Sequence, residues 1–272
     1  MILVTGATGH VGRPLTQMLV DAGAQVRAVS RTPEKAALPP SVEVVPNTDP
    51  PLDGVEAVFI NLAALPEGPE KIVARAKEAG GRRLVGLSSY SVLDDNPRNA
   101  IAVRHRELER VVVDSGLEWV LLRPAGGFAT TALEWRDQIR ERGVVRGPFA
   151  RAHSAPLHEK DIAEVAALAL LTDKLLGTRP MFSGPESVTY EERARLIGEA
   201  LGREIVFEEI SAEEAVEEWV RAGIPLGAAR ARIHMFAQLV DRPHEISLLE
   251  PITGKRGRTF AQWAIDHVGD FR

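Results

Sequence analysis

The first half of the chain alternates short apolar runs with longer amphipathic stretches. Apolar runs of this length are typical of buried strands, and they occur at residues 2–4, 25–29, 42–45, 57–60, 84–87 and 119–122. Helical periodicity follows the first run and recurs over residues 69–79 and 100–114. The alternation predicts a Rossmann-type, doubly wound α/β fold, a parallel sheet whose ligands bind at the carboxyl ends of the strands.

One segment, residues 46–54, interrupts the alternation. Its sequence is Pro-Asn-Thr-Asp-Pro-Pro-Leu-Asp-Gly, and proline both removes a helical N–H and clashes with the preceding turn. We therefore expect a tight loop over the sheet edge, with the crossover helix reduced to a vestige.

From about residue 123 onward the pattern changes to loops and helices. Helices are predicted over residues 159–172, 189–201, 211–222, 226–240 and 258–268, and a short strand over residues 204–207. We predict two domains: a cofactor-binding domain over residues 1–150, and a smaller, mostly helical substrate-binding lobe over residues 151–272. Some chain of the lobe is expected to cross back to the sheet.

A glycine-spaced turn joins the first strand to the first helix. Gly6 permits a sharp turn, Gly9 allows close approach of the backbone to phosphates, and Gly12 allows the helix to pack on the strand. The helix start offers N–H groups and a partial positive charge to an anion. The spacing is Gly-x-x-Gly-x-x-Gly instead of Gly-x-Gly-x-x-Gly, so the argument depends on the flanking strand and helix, which ends near Gly23.

Composition narrows the class of protein. The 272 residues are 44% hydrophobic and 26% charged with a net charge of -5, which is typical of a globular protein and gives no basic face for nucleic acid. No apolar run is long enough to cross a membrane, and a strand beginning at residue 2 leaves no room for a signal peptide. The chain has no cysteine, and its seven histidines lack metal-binding spacing. We expect a cytoplasmic monomer or homodimer with a small-molecule substrate and no metal.

The residues after the second strand predict which dinucleotide binds. An NAD site places an acid there for the ribose hydroxyls, whereas an arginine accommodates the 2′-phosphate of NADP. Here Ser30 and Arg31 occupy this position, no acid precedes Glu34, and Arg13 and Lys35 add positive charge. NADP (as NADPH) is the expected cofactor, with a solvated loop cation as the alternative interpretation of Arg31.

Motifs along nearly the whole chain resemble one family. They lie at residues 4–12 (Val-Thr-Gly-Ala-Thr-Gly with Gly12), 29–31, 87–89, 109, 115–119, 122–124, 157–163, 182–190, 253–256 and 258–260. Together they resemble the NmrA-like group of atypical short-chain dehydrogenase/reductases, which includes quinone oxidoreductase-type enzymes and NADP-sensing regulators.

The resemblance implies an unusual catalytic centre. Most short-chain dehydrogenases use Tyr-x-x-x-Lys, in which the tyrosine relays a proton to the substrate. By resemblance the two positions are Ile101 and His105, so the usual acid is missing, as in the quinone-reductase-like branch. We expect His105 to hold the nicotinamide ribose and to be a candidate proton donor. The alternative is a solvent-facing member of the polar run 104–107.

Further candidates follow the later strands. Ser89 and Tyr90 are predicted catalytic residues beside the nicotinamide, although serine also caps turns and a loop tyrosine also packs its ring. By resemblance the chain from Pro124 to Phe128 passes the carboxamide side of the nicotinamide, and Arg123 is expected to pair with a carboxylate under the sheet. The predicted cofactor-binding residues are Gly6, Thr8, Gly9, His10, Val11, Gly12, Ser30, Arg31, Lys35, Leu62, Ala63, Ser88, His105 and Pro124.

An apolar substrate pocket for a planar molecule is predicted from Phe128, Trp135, Phe149 and His153, each of which also fits an ordinary core. Three functions remain open. The first is an NADPH-dependent oxidoreductase that reduces a small aromatic, quinonoid or carbonyl compound, with hydride delivered by the cofactor. The second is an NADP-sensing protein without turnover, and the third is a non-redox biosynthetic enzyme on the same scaffold.

Overall fold

A seven-stranded parallel sheet is the centre of the computed structural model, which describes residues 1–97 and 99–272. Its strand order is β3-β2-β1-β4-β5-β6-β9, so the predicted Rossmann-type α/β fold is confirmed. The strands of the protein are β1 Ile2–Val4, β2 Val26–Ser30, β3 Glu43–Pro46, β4 Ala57–Asn61, β5 Arg83–Leu87, β6 Glu118–Pro124, β7 Val144–Gly147, β8 His153–Ser154, β9 Met181–Phe182, β10 Val188–Thr189 and β11 Val206–Glu209.

Ten α-helices are present in the described part of the chain. They are α1 Gly12–Asp21, α2 Glu70–Glu78, α3 Ala100–Asp114, α4 Arg136–Arg142, α5 Glu159–Leu171, α6 Tyr190–Leu201, α7 Ala212–Arg221, α8 Leu226–Ala237, α9 Glu250–Thr253 and α10 Phe260–Asp266. The predicted helices are found with ends that differ by at most three residues, and the expected glycine, Gly23, follows α1 with a φ of 79°.

The chain forms two compact units. The first comprises Met1–Ala125, Glu159–Phe182 and Glu250–Lys255, and the second comprises Gly126–His158, Ser183–Leu249 and Arg256–Arg272. The predicted division at residue 150 into cofactor and substrate domains is a functional one and stays a prediction. The compact units divide the chain differently because β9 pairs with β6, and α5 packs on α1 and on the sheet.

The first unit carries helices on both faces of the sheet. On one face, Val58 and Leu84 of the strands join Ile72 of α2 and Leu108 of α3 in one buried cluster. On the other, α5 packs against α1 and against β4, β5 and β6. Burial of the sheet on both sides explains why its central strands read as continuous apolar runs.

The proline-rich segment contains no crossover helix, as predicted. All of residues 47–56 are described, and β3 continues into β4 through turns alone. The side chain of Arg27 stabilises the loop, because its Nη1 donates to the carbonyl oxygens of Pro51 at 2.9 Å and Asp53 at 3.2 Å.

The second unit contains two small sheets, a parallel pair of β7 and β11 and an antiparallel pair of β8 and β10. Its core brings together Ile139, Val145, Ile197, Phe260 and Trp263. The strand predicted at residues 204–207 is β11, displaced by two residues.

Candidate functional site

The carboxyl ends of five adjacent strands share one edge of the sheet in the first unit. In the order β2-β1-β4-β5-β6, this edge carries Ser30, Gly6, Leu62, Ser88 and Pro124. Register supports the alignment, since Asn61 pairs with Leu87 and Leu87 pairs with Leu122. The strand ends therefore bring together most of the predicted cofactor-binding residues. That these residues contact a cofactor stays a prediction.

The glycine turn is built as its sequence predicts. Gly6 adopts a φ of 67°, which other residues rarely tolerate. A Cβ on Gly12 would overlap the carbonyl oxygen of Gly6 and lie 2.7 Å from Ala7 Cα, so only glycine fits where α1 begins. Gly9 and His10 are exposed while Val11 is buried. The turn presents its backbone to solvent at the positive end of α1.

The adjoining turn after β4 packs against this one. Asn61 accepts a hydrogen bond from the Ala63 amide at 3.0 Å, and its Nδ2 lies 3.2 Å from the position of a Cβ on Gly6. Thr5 bridges the two strands, since its hydroxyl donates to the Phe59 carbonyl at 2.9 Å and accepts from the Asn61 amide at 2.8 Å. Leu62 is buried and Ala63 is exposed, so Ala63 offers the open surface.

The end of β2 presents the predicted cations to solvent. Ser30 is buried and accepts a hydrogen bond from the Thr32 amide at 3.2 Å, whereas Arg31 and Lys35 are exposed. Arg13, in the first turn of α1, donates through Nη1 to the Ala37 carbonyl at 2.6 Å. This contact ties the loop after β2 to the start of α1, beside the glycine turn.

The end of β5 places its two serines in different environments. The Ser88 hydroxyl is buried and donates to Glu109 Oε1 at 2.6 Å, so it is engaged inside the protein. The Ser89 hydroxyl accepts from the Ser91 amide at 3.1 Å and caps a 3₁₀ turn over residues 90–93. Tyr90 begins that turn with 46% of its surface exposed. The capping interpretation of serine thus holds for Ser89, and the ring of Tyr90 faces solvent.

His105 and Ile101 lie one turn apart on α3. His105 Nδ1 is 2.8 Å from the Ile101 carbonyl oxygen, which only accepts hydrogen bonds, so Nδ1 carries a proton and donates it. Burial lowers the pKa of His105 below its ordinary value, the Arg104 charge acts in the same direction, and the Ile101 and Glu109 contacts oppose them. The neutral imidazole therefore offers Nε2 as an acceptor.

An ionic cluster centred on the buried Glu109 lies at the ends of β5 and β6. Arg123 pairs with Glu109 through two hydrogen bonds, Nε to Oε1 at 2.9 Å and Nη2 to Oε2 at 2.6 Å. Arg179 adds a contact to Oε2 at 3.3 Å. Burial alone would raise the pKa of Glu109, but Arg123 and Ser88 outweigh it and hold the pKa below its usual value. The predicted structural role of Arg123 agrees with this geometry.

The four predicted substrate residues all lie in the second unit. Trp135 packs edge-on to Tyr190 and Phe207, with ring centroids 5.9 Å and 6.3 Å away. His153 Nδ1 lies 3.2 Å from the Ser187 hydroxyl. Phe149 adopts a φ of 59°, and Phe128 immediately precedes a 3₁₀ segment over residues 129–135. Trp135 and His153 therefore have separate partners, and a shared pocket stays a prediction.

Two contributors to the site edge were not identified from the sequence. Asn61 shapes the turn beside Gly6, and Arg104 Nη2 reaches the Leu62 carbonyl at 3.4 Å from α3. A polar residue closing an apolar strand could have indicated Asn61. Nothing in the polar run 104–107 distinguishes Arg104, because its contact is set by the packing of α3.

The edge fits a dinucleotide. Its glycine turn leaves no room for a side chain at the start of α1 and exposes Gly9. From this turn the edge continues past Ala63 to Ser89 and His105. The cations Arg31 and Lys35 lie at the other end of the edge. The glycine turn and the start of α1 match a pyrophosphate. The described residues include no cluster of three or more metal-ligating acids and histidines. No helix in the described part is long and apolar enough to span a bilayer.

Comparisons with known proteins agree with this geometry. A family model described as NAD(P)H-binding matches residues 6–173. The chain is 36% identical to the (4-alkanoyl-5-oxo-2,5-dihydrofuran-3-yl)methyl phosphate reductase of Streptomyces griseus, over 100% of this chain and 99% of that protein. It is 28% identical to the NAD(P)H azoreductase of Xenophilus azovorans, over 100% and 99% of the two chains.

A solved structure shares the fold. The NADPH-dependent quinone oxidoreductase of Escherichia coli matches with a TM-score of 0.78 and 23% identity, covering 99% of this chain and 100% of that one. The chain belongs to the NAD(P)H-binding family, which agrees with its resemblance to atypical short-chain dehydrogenase/reductases. The predicted enzyme class, an NAD(P)H-dependent oxidoreductase, is confirmed.

Proposed function

We propose that this protein uses NADPH to reduce a small conjugated acceptor, of aromatic, quinonoid or carbonyl type. The observation that carries the proposal is the Ile101–His105 pair. By the resemblance, an exposed isoleucine occupies the position of the tyrosine of short-chain dehydrogenases, and the neighbouring imidazole donates its Nδ1 proton to the helix backbone. A site with this arrangement favours substrates that need no strong acid during reduction.

The relatives named above act on substrates with that property. A dihydrofuranone ring double bond flanked by two carbonyls, an azo group and a quinone all accept hydride into a conjugated system. The negative charge that develops is delocalised, so protonation can follow from water. A simple ketone lacks this delocalisation and needs a proton donor at the carbonyl oxygen.

The choice of NADPH rests on charge. The exposed guanidinium of Arg31 and the ammonium of Lys35 follow β2, and Arg13 joins the same loop through the Ala37 carbonyl. A 2′-phosphate is favoured by such cations, and the first acid of the loop, Glu34, lies beyond the position that binds ribose hydroxyls in NAD sites. We propose that these three cations select NADPH over NADH.

The residues at the sheet edge then have definite tasks. When bound, the cofactor supplies hydride. The glycine turn binds the pyrophosphate through its backbone, and Nε2 of neutral His105 accepts a hydrogen bond from a ribose hydroxyl. The exposed side chains of Ile101 and Tyr90 border the reacting face, and Ile101 cannot transfer a proton, so the proton comes from water.

A turnover assay tests the proposal. The protein is mixed with NADPH and a panel of small quinones, an azo dye, a conjugated enone and a saturated ketone, and the loss of reduced-nicotinamide absorbance is followed. We expect turnover with conjugated acceptors and none with the saturated ketone. NADPH binding without turnover of any acceptor would contradict the proposal and favour an NADP-sensing protein instead.

A further inference from the structure

We propose that Glu109 is a positioning residue of this site: its carboxylate fastens α3, and with it His105, to the ends of β5 and β6. The proposal rests on the proposed function in one respect, namely that His105 contacts the bound cofactor. Glu109 itself is 8% exposed and lies beneath the site edge, so it acts through its neighbours.

The contacts of Glu109 join three elements of the first unit. Ser88, just past β5, donates to Oε1 at 2.6 Å, and Arg123 of β6 donates to both carboxylate oxygens. Arg179, ahead of β9, reaches Oε2 at 3.3 Å while its guanidinium lies 4.6 Å from the centre of the Trp119 ring. One carboxylate on α3 therefore fixes the helix against two adjacent strand ends.

The helical spacing of α3 places His105 next to Glu109. Glu109 follows His105 by four residues, so the two side chains lie on the same face of α3, about 6 Å apart at their Cβ atoms. The same strand end that supplies Ser88 continues into Ser89 and Tyr90. Displacement of α3 would thus move His105 relative to the β5 end, where the nicotinamide is expected.

The carboxylate also acts on His105 electrostatically. Its negative charge favours the protonated imidazole, against the effects of burial and of Arg104 that lower the pKa of His105. The titratable and charged groups on the elements packed against α3 are Tyr90 and Asp94 of the 90–94 segment, Glu70 and Lys77 of α2, and Arg123 of β6. Among the charged groups, Arg104 and Glu109 act on His105. Removal of the Glu109 charge should therefore lower the pKa of His105 further, and NADPH affinity then reports whether the position of His105 has changed as well.

The test compares Glu109→Gln with Glu109→Asp. NMR titration of His105, identified by loss of its signal in His105→Gln, reads the charge effect, and calorimetry with NADPH reads positioning. For Glu109→Gln we expect a drop of about 0.5 unit in the pKa of His105, as for unit charges about 6 Å apart in a water-like dielectric, and about tenfold weaker NADPH binding. Glu109→Asp should keep the His105 pKa but bind NADPH several-fold more weakly, because the shorter side chain cannot hold both Ser88 and Arg123.

Glu107→Gln is the matched control. It removes a carboxylate from the same helix that is likewise paired with an arginine, Arg110, but position 107 does not face His105. We expect its His105 pKa and NADPH affinity to equal those of the wild type. Should Glu109→Gln not fold, as judged by circular dichroism, Glu109→Asp decides alone.

The outcomes separate the two proposals. Wild-type NADPH affinity in every folded Glu109 variant would overturn the positioning role while leaving the proposed function intact. Absence of NADPH binding by the wild type would overturn the proposed function, and the His105 titration would still report whether Glu109 acts on the imidazole.

Discussion

Alanine at Gly9 and at Gly12 should separate cofactor binding from folding at the same turn. A Cβ on Gly12 would overlap the Gly6 carbonyl oxygen and lie 2.7 Å from Ala7 Cα. A Cβ on Gly9 would meet only that carbonyl oxygen, at 3.3 Å, and would otherwise point into open space. Gly12→Ala therefore strains the protein itself, whereas Gly9→Ala adds a methyl group where the phosphates are expected.

The magnitudes differ accordingly. Overpacking at Gly12 should cost about 1–3 kcal/mol, which lowers Tm by about 2–12 °C in a protein of this size. Gly9 is exposed and has an ordinary φ, so Gly9→Ala should change the free energy of unfolding by less than about 1 kcal/mol. Its NADPH affinity should fall at least tenfold, equivalent to about 1.4 kcal/mol of binding free energy.

Thermal unfolding and calorimetry with NADPH on each variant provide the assay. Gly227→Ala is the control, because Gly227 lies inside α8 with no heavy atom within 4 Å of the added methyl group. This variant should be unchanged or slightly more stable and should bind NADPH normally. Wild-type NADPH affinity in Gly9→Ala would refute the assignment of this turn to the pyrophosphate.

Three further predictions concern other parts of the first unit. Arg31→Glu should raise KM for NADPH far more than KM for NADH, and equal effects in steady-state assays would exclude a 2′-phosphate contact. Because burial lowers the pKa of His105, the contribution of its neutral form to stability is present above about pH 6.5 and is lost as pH falls through the lower folded-state pKa. The Tm of His105→Gln should therefore fall less than the Tm of the wild type between pH 7.5 and 5.5. Part of the pH dependence should remain in this variant, because burial also lowers the pKa of His244. Arg83→Met should destabilise the protein by about 2 kcal/mol in denaturant unfolding while leaving NADPH affinity unchanged, since buried Arg83 opens β5 and donates to the Thr172 carbonyl at 2.7 Å.

Local patterns predicted much of the first unit. Each of the first six strands carries enough apolar residues to be recognised alone, and the prolines at 46, 50 and 51 correctly exclude a crossover helix. Glycine spacing predicted the turn because its requirements, a positive φ at Gly6 and close packing at Gly12, are local. Arg123 was recognised as structural, although its partner became clear only in three dimensions.

Long-range packing was not predictable in the same way. The seventh strand, β9, has two residues and depends on pairing with β6, so no periodicity indicates it. Helix α4 has seven residues in a strongly charged sequence and was likewise missed. The hydrogen bond between Ser88 and Glu109 joins residues 21 positions apart, and a single sequence does not specify which polar groups meet across such a distance.

A structure of the protein with NADPH bound tests the central claim most directly. The account predicts a pyrophosphate over residues 6–12, a 2′-phosphate beside Arg31, and a nicotinamide ring at the end of β5 with a ribose hydroxyl donating to His105 Nε2. A nicotinamide bound away from Ser89 and His105, or a 2′-phosphate without a cationic partner, would contradict it.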